Sequence, residues 1–299
     1  MQEFSVQVAS GETLKGRHWP AESPVANLTI ITGMDEHATR YNDFALFLNG
    51  KGINVWCLDA FGQGLNSPDP DDQEKWPVDG FFKNVEGISL MILLAQSNGL
   101  PTTHMGHSMG SFMTQSLIQR YPGLVEKVVL CGSNGGQGAL MSAANIIAKI
   151  VVRKSNWDKL NPFMDNLGLG GYAKSIKDRK TDFDWLSYNE ENVQRYIADP
   201  YCGHGNTSGF WKGFAAGMKT IWQKKNLEKV DKKQRILIVA GEDDPVGQNG
   251  KGPKWLEETY KSLGIEDVTL ILYPKMRHEI LNEDEKEKPY NDIASFILK

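Results

Sequence analysis

Short apolar, β-branched runs recur along this chain with a helix-like stretch between successive runs, and that alternation restricts the fold more than any other feature. "ANLTIIT" (26–32) and "INVWCL" (53–58) read as buried strands. "RYNDFALFLNGKG" between them has helical spacing and ends at glycine, which completes one βαβ unit. A helix over "GFFKNVEGISLMILLAQSNG" (80–99), a strand at "TTHMGH" and a helix over "MGSFMTQSLIQRYPG" continue the series, followed by a strand at "KVVLCG" (127–132). Strand patterns then stop for about a hundred residues, far longer than an ordinary αβ loop. They resume at "RILIVAG" (235–241) and "VTLILY" (268–273), with helices over "GPKWLEETYKSLG" and "YNDIASFILK". "EFSVQVASGETLKGRHWP" at the start alternates in polarity around Gly11 and reads as a β-hairpin. The expected architecture is α/β: a mostly parallel central sheet flanked by helices on both faces. Residues 1–133 and 230–299 form the core in this reading, and 134–229 a largely helical cap inserted into it.

Bulk properties narrow the function classes. The 299 residues suffice for one large domain with an insertion, and 40% hydrophobic content is ordinary for a soluble globular protein. A net charge of −4 argues against nucleic acid as a partner. Cys57, Cys131 and Cys202 are far apart and odd in number, so no disulfide framework or metal-type pairing is readable, which suits a reducing cytoplasm. "MQEFSVQVAS" lacks the basic start and apolar run of a secretory signal, and the longest apolar stretches are too short to span a bilayer. A soluble, cytoplasmic protein is expected.

Gly106-His107-Ser108-Met109-Gly110 matches G-x-S-x-G, a weak signal alone. Its setting, after a strand and before a helix, is that of a nucleophile elbow, which exposes the Ser108 hydroxyl at the carboxyl end of the sheet. Two histidines lie close in sequence. The His107 ring is expected to project away from Ser108, and His104, further back in the strand, to be buried among core groups. A base must reach the hydroxyl in space, and His278 in "YPKMRHEIL", just beyond the last strand, is the best of the six. A carboxylate should orient it, and "GEDDPVG" (241–247) offers Glu242, Asp243 and Asp244 without choosing among them.

"TGMDEHATRY" (32–41), "DAFGQGLNS" (59–67), "GHSMG" (106–110), "GEDDPVG" (241–247) and "RHEILNE" (277–283) occur in an order and spacing that resemble one family across almost the whole chain. It is the serine α/β-hydrolases of the monoacylglycerol lipase and lysophospholipase-like branch, related to the serine aminopeptidases. The resemblance implies the α/β-hydrolase fold, with Ser108, Asp244 and His278 as the catalytic triad. It also implies an oxyanion hole from the backbone N–H groups of Met34 and Met109. Two departures stand out. The family usually has His-Gly where this chain has Thr32-Gly33, and often a basic residue and a histidine where this chain has "DAFGQG", whose Asp59 is expected to be structural.

The implied activity is carboxylic ester hydrolysis through an acyl-enzyme, as in a monoacylglycerol lipase or lysophospholipase-like esterase, with no cofactor and no metal. A proline iminopeptidase-like aminopeptidase is one alternative, and a non-catalytic binding protein on a hydrolase fold is another. The partner is a small-molecule ester or a lipid. The insertion holds Trp157, Trp185, Trp211 and Trp222 and the stretch "ALMSAANIIAKIVVRK" (139–154), apolar on nearly every side. That stretch reads equally as a lid lining an acyl-chain tunnel, in transient contact with a lipid surface, or as a helix packed over the core. "PDPDDQE" (68–74) lacks the ligand spacing of a calcium loop and is expected to be a solvated surface loop.

Overall fold

A computed structural model describes all residues from Met1 to Lys299. Eight strands form one sheet: β1 (Gln2–Gln7), β2 (Thr13–Trp19), β3 (Ala26–Ile31), β4 (Ile53–Leu58), β5 (Thr102–His107), β6 (Lys127–Cys131), β7 (Arg235–Gly241) and β8 (Val268–Tyr273). Their spatial order is β1-β2-β4-β3-β5-β6-β7-β8. The N-terminal hairpin joins antiparallel through β2 to β4, and every pair from β4 to β8 is parallel. The continuous apolar runs are explained by position: every residue of β3 and of β6 is buried, because both faces of the central sheet are covered.

Two apolar layers cover the sheet. On one face, α1 (Asn42–Asn49) and α11 (Glu287–Leu298) bury Phe44, Ala45 and Leu48 with Tyr290, Ile293 and Ala294. On the other, α2 (Gly80–Gln96), α3 (Met109–Arg120) and α10 (Lys251–Ser262) bury Phe81, Val85, Met113, Leu117, Leu256 and Tyr260. Parallel neighbours require crossovers, and these helices supply them on both faces.

Between β6 and β7 the chain forms α4 (Gly138–Val151), α5 (Pro162–Gly168), α6 (Gly170–Ser175), α7 (Glu190–Ala198), α8 (Ser208–Ile221) and α9 (Lys224–Leu227), with one isolated bridge between Leu160 and Thr207. The last long helix of this segment is tied firmly to the sheet layer. Phe210, Ala215, Met218 and Ile221 of α8 join the same apolar cluster as α2 and α3. Gln119 Nε2 donates to Ile221 O at 2.7 Å, and Trp222 Nε1 donates to Gln115 Oε1 at 2.9 Å. α4 behaves differently: it packs on α8, buries only Asn145 and Ala148, and leaves Ile146 and Ile150 about 60% exposed. No helix is long and apolar enough to cross a membrane.

The acidic loop at 68–74 is only partly as expected. Asp69 and Asp71 face solvent, but Gln73 and Glu74 turn inward and are buried, Glu74 beneath Gly62 and Thr207, which bond its backbone.

Candidate active site

The residues singled out in the sequence lie on loops at the carboxyl ends of four parallel strands: Met34 after β3, Ser108 and Met109 after β5, Asp244 after β7 and His278 after β8. Parallel strands deliver all these ends to one edge of the sheet, where open α/β folds place their ligands.

Ser108 sits between β5 and α3 at φ 51°, ψ −119°, a conformation rarely held by a residue with a side chain. The turn is over-determined by its surroundings. Ser108 N donates to Cys131 O at 2.9 Å, and a Cβ at Gly110 would fall 2.6 Å from Thr32 O, while one at Gly106 would run into Thr114 Oγ1. Glycine on either side of Ser108 therefore lets the elbow press against β3 and against its own helix. Met109 begins α3, so its N–H belongs to the first helical turn, which lacks intrahelical acceptors.

His278 is 1% exposed, and its Nδ1 meets Asp244 Oδ2 at 3.0 Å. Asp244 is fully buried and also accepts from Val246 N at 2.8 Å, whereas Glu242 and Asp243 are exposed and Asp243 accepts from the Tyr188 hydroxyl. Of the three acids left open by spacing, only Asp244, the one the resemblance implies, touches the imidazole. His278 Nε2 is buried and has no hydrogen-bond partner, and it shares one cavity with Ser108. No hydrogen bond joins it to Ser108 Oγ; such bonds are commonly long before substrate binds.

The two nearby histidines have other partners. His104 is fully buried between Thr29 Oγ1 and Thr114 Oγ1, each at 3.0 Å, and burial lowers its pKa to about 3, so it stays neutral. His107 reaches Glu36 Oε1 with Nδ1 at 3.1 Å and the His278 carbonyl with Nε2 at 3.4 Å. Burial opposes the His107 imidazolium, but Glu36 outweighs it and raises the pKa. His107 thus supports the loop that carries His278.

Glu36 is a hub that no motif match assigned individually. Its Oε1 accepts from Gly33 N, the Tyr41 hydroxyl and His107, while Arg40 Nε lies 3.5 Å from Oε2. Arg40 in turn holds Glu279, the neighbour of His278, through Nη2 at 2.6 Å. The signal was present in "DEHATRY" as charged residues at a strand end, but their inward direction is invisible in one dimension. Asp59 accepts from Ala38 N at 2.6 Å and Leu65 N at 3.0 Å, and burial raises its pKa to about 6.

The cavity above Ser108 measures about 720 Å³ and is lined mainly by apolar side chains. Leu140, Met141 and Ile147 of α4 form part of its wall, with Trp185, Trp211 and Trp222. Trp185 packs on the His278 ring at a centroid distance of 5.2 Å. Trp157 lies outside this wall and donates to Trp76 O at 2.8 Å. One metal-type grouping occurs elsewhere: His37, Asp199 and Cys202 bring ligand atoms within 4.8 Å of one another. Its histidine already pairs with Asp199 Oδ2 at 2.9 Å and Thr39 Oγ1 at 2.7 Å.

Comparison with known proteins places these features in a family. The profile of the family described as serine aminopeptidase, S33 matches residues 22–285. A monoacylglycerol lipase of Mycolicibacterium smegmatis is 26% identical over 289 residues, covering 93% of this chain and 90% of that protein. A monoglyceride lipase of Homo sapiens is 26% identical over 292 residues, covering 92% and 82%. A thermostable carboxyl esterase from Bacillus coagulans, solved in complex with glycerol, superposes with a TM-score of 0.90 at 26% identity, covering 99% of this chain and 97% of that one.

Proposed function

Because the chain belongs to the serine aminopeptidase, S33 family and is a carboxylic ester hydrolase of the α/β-hydrolase fold, we propose that it cleaves monoacylglycerols through a Ser108 acyl-enzyme. The observation that carries this reading is His278, bonded to buried Asp244 through Nδ1 and left with a free Nε2 on the cavity that Ser108 enters. In the proposed reaction His278 Nε2 takes the Ser108 proton as Oγ attacks the ester carbonyl. Asp244 holds the imidazole tautomer and stabilises the imidazolium. The N–H groups of Met34 and Met109 receive the oxyanion, an interaction that typically contributes a few kcal/mol per donor. The imidazolium then gives its proton to the departing alcohol, and a water activated by the same histidine releases the fatty acid.

The monoacylglycerol assignment is supported by the apolar wall of the cavity, which suits an acyl chain, and by the named activity of the relatives. Residues 134–229 act in this reading as the cap over that chain. The exposed apolar side chains of α4 and α5, among them Ile146, Ile150 and Phe163, are proposed to rest transiently on a lipid surface. Three free, buried cysteines support a reducing, cytoplasmic setting.

Replacing Ser108 by alanine tests the assignment. Turnover of a monoacylglycerol and labelling by a fluorophosphonate probe should both disappear, with the melting temperature retained. Wild-type turnover by S108A contradicts the triad. Cleavage of aminoacyl-naphthylamides in preference to esters contradicts the substrate class.

A further inference from the structure

One buried polar chain grips the Met34 loop at both ends. At the start, Thr32 Oγ1 donates to Gln63 Oε1 at 3.1 Å, and Gln63 Nε2 donates to Glu74 Oε1 at 2.7 Å. At the far end, the buried carboxyl groups of Glu74 and Asp35 face each other. Thr32, Gln63 and Glu74 are at most 1% exposed and Asp35 is 8% exposed. Asp35 Oδ1 and Glu74 Oε2 are buried and receive no N–H or O–H from any other group. Two carboxyls bond only when one keeps its proton. Burial raises both, Glu74 well above the usual carboxylate range; repulsion from Asp165 adds to the rise at Asp35, and repulsion from Asp35 adds to it at Glu74. One of the two carboxyls therefore keeps its proton and donates it to the other.

The surroundings offer no compensating cation. From α5, Asp165 faces Asp35 and adds negative charge. Asn206 Nδ2 donates to Asp35 Oδ2 at 3.5 Å and to Asp165 Oδ1 at 3.2 Å. From α7, the Tyr196 hydroxyl donates to Asp35 O at 3.0 Å. Arg40 lies over the Tyr196 ring at 4.9 Å, but its guanidinium is committed to Glu36 and Glu279. Asp35 also follows Met34 directly and occupies the left-handed region at φ 55°, so its side-chain anchor fixes a turn beside the Met34 N–H.

We propose that Thr32, Gln63, Glu74 and Asp35 are positioning residues that aim the Met34 N–H, and that they do so only while Glu74 and Asp35 share a proton. Loss of that proton to solvent leaves two facing carboxylates with no cation between them, and they separate. The inference rests on the proposed role of Met34 in the ester hydrolase, and it gives Thr32 and Gln63, both departures from the family pattern, one joint task.

The full-length protein, a chromogenic short-chain ester and a pH series test it. Wild-type kcat should fall above neutrality with little change in KM, while the infrared band of a buried protonated carboxyl fades over the same range. Glu74→Gln can still accept from Gln63 and donate to Asp35 without a titrating proton, so its alkaline fall and its infrared band should both be gone. Glu74→Ala breaks both links and should lower kcat about 10- to 100-fold at every pH, with KM changed about three-fold at most. A Glu74→Gln enzyme that keeps the wild-type alkaline fall overturns the proposal, as does a folded Glu74→Ala enzyme with wild-type kcat. If Glu74→Ala does not fold, the Glu74→Gln profile still decides. The infrared titration needs no turnover: a fading band in a protein inert to esters supports the shared proton and overturns the ester-hydrolase reading instead.

Discussion

Glu36 is buried among Gly33 N, the Tyr41 hydroxyl, His107 and Arg40, and its stability contribution depends on pH in a defined direction. Burial opposes its ionisation, but the His107 hydrogen bond and the charges of His107 and Arg40 prevail and lower its pKa from 4.5 to about 2. A carboxyl lowered in the fold contributes stability that is present above its unfolded pKa and lost as pH falls through the folded one. His107, raised in the fold, has the opposite sign: its share is present at low pH and lost as pH rises through its folded value. Glu36→Gln should therefore destabilise the protein by about 3 kcal/mol near pH 6, since it breaks a buried pair. The difference should narrow as pH is lowered from about 5 to about 3. Urea unfolding midpoints at several pH values read this directly, and a pH-independent difference contradicts it.

At the scale of elements, the loop after β8 is clamped from both sides of His278 by residues 184–189. Arg277 Nη1 donates to Asp184 O at 2.6 Å, and Glu279 N donates to Leu186 O at 2.7 Å. Glu283 closes the clamp, accepting from Arg277 N at 2.7 Å, the Ser187 hydroxyl at 2.7 Å and Tyr188 N at 2.9 Å. The segment that lies over the proposed base is thus fixed to it, whereas α4 packs on α8 and leaves most of its length unburied. Glu283→Ala removes the acceptor of four donors, Asn189 N included, and should lower kcat by about 10²-fold with a smaller change in KM, because displacing a proton-transfer group by about 1 Å is that costly. Steady-state kinetics beside a thermal melt checks it; unchanged kcat in the folded variant removes Glu283 from any positioning role.

At the scale of the whole molecule, α4 stands between solvent and the cavity, which the proposed acyl chain would have to enter. Ile146 and Ile150 are about 60% exposed while Met141 and Ile147 of the same helix line the cavity, so α4 is apolar toward both its inside and its outside. Replacing Ile146 and Ile150 together with aspartate should cut hydrolysis of monoacylglycerol in vesicles several-fold. Hydrolysis of a water-soluble ester should stay within about two-fold, since exposed substitutions of this kind disturb packing little. Vesicle co-sedimentation supplies the binding readout, and equal loss on both substrates rejects the surface role.

The alternation of strand and helix, the parallel sheet and the elbow around Ser108 were legible in sequence because each rests on local periodicity or on glycines within a few residues. His278 was legible as a loop histidine beyond the last strand. The choice among Glu242, Asp243 and Asp244 was legible only through the family resemblance and not from spacing, because three adjacent acids differ only in the direction their side chains take, and the fold turns Asp244 alone inward. Glu36, Glu283 and the Thr32–Gln63–Glu74–Asp35 chain were likewise hidden. Their partners lie up to 171 residues away in sequence, as for Asp35 and Asn206, and burial turned acids that read as surface charge into fixed hydrogen-bonding groups. Sequence alone pointed to the groups proposed to carry the chemistry; the tertiary structure decided what holds them, because only packing removes a carboxyl from water and makes it depend on its neighbours.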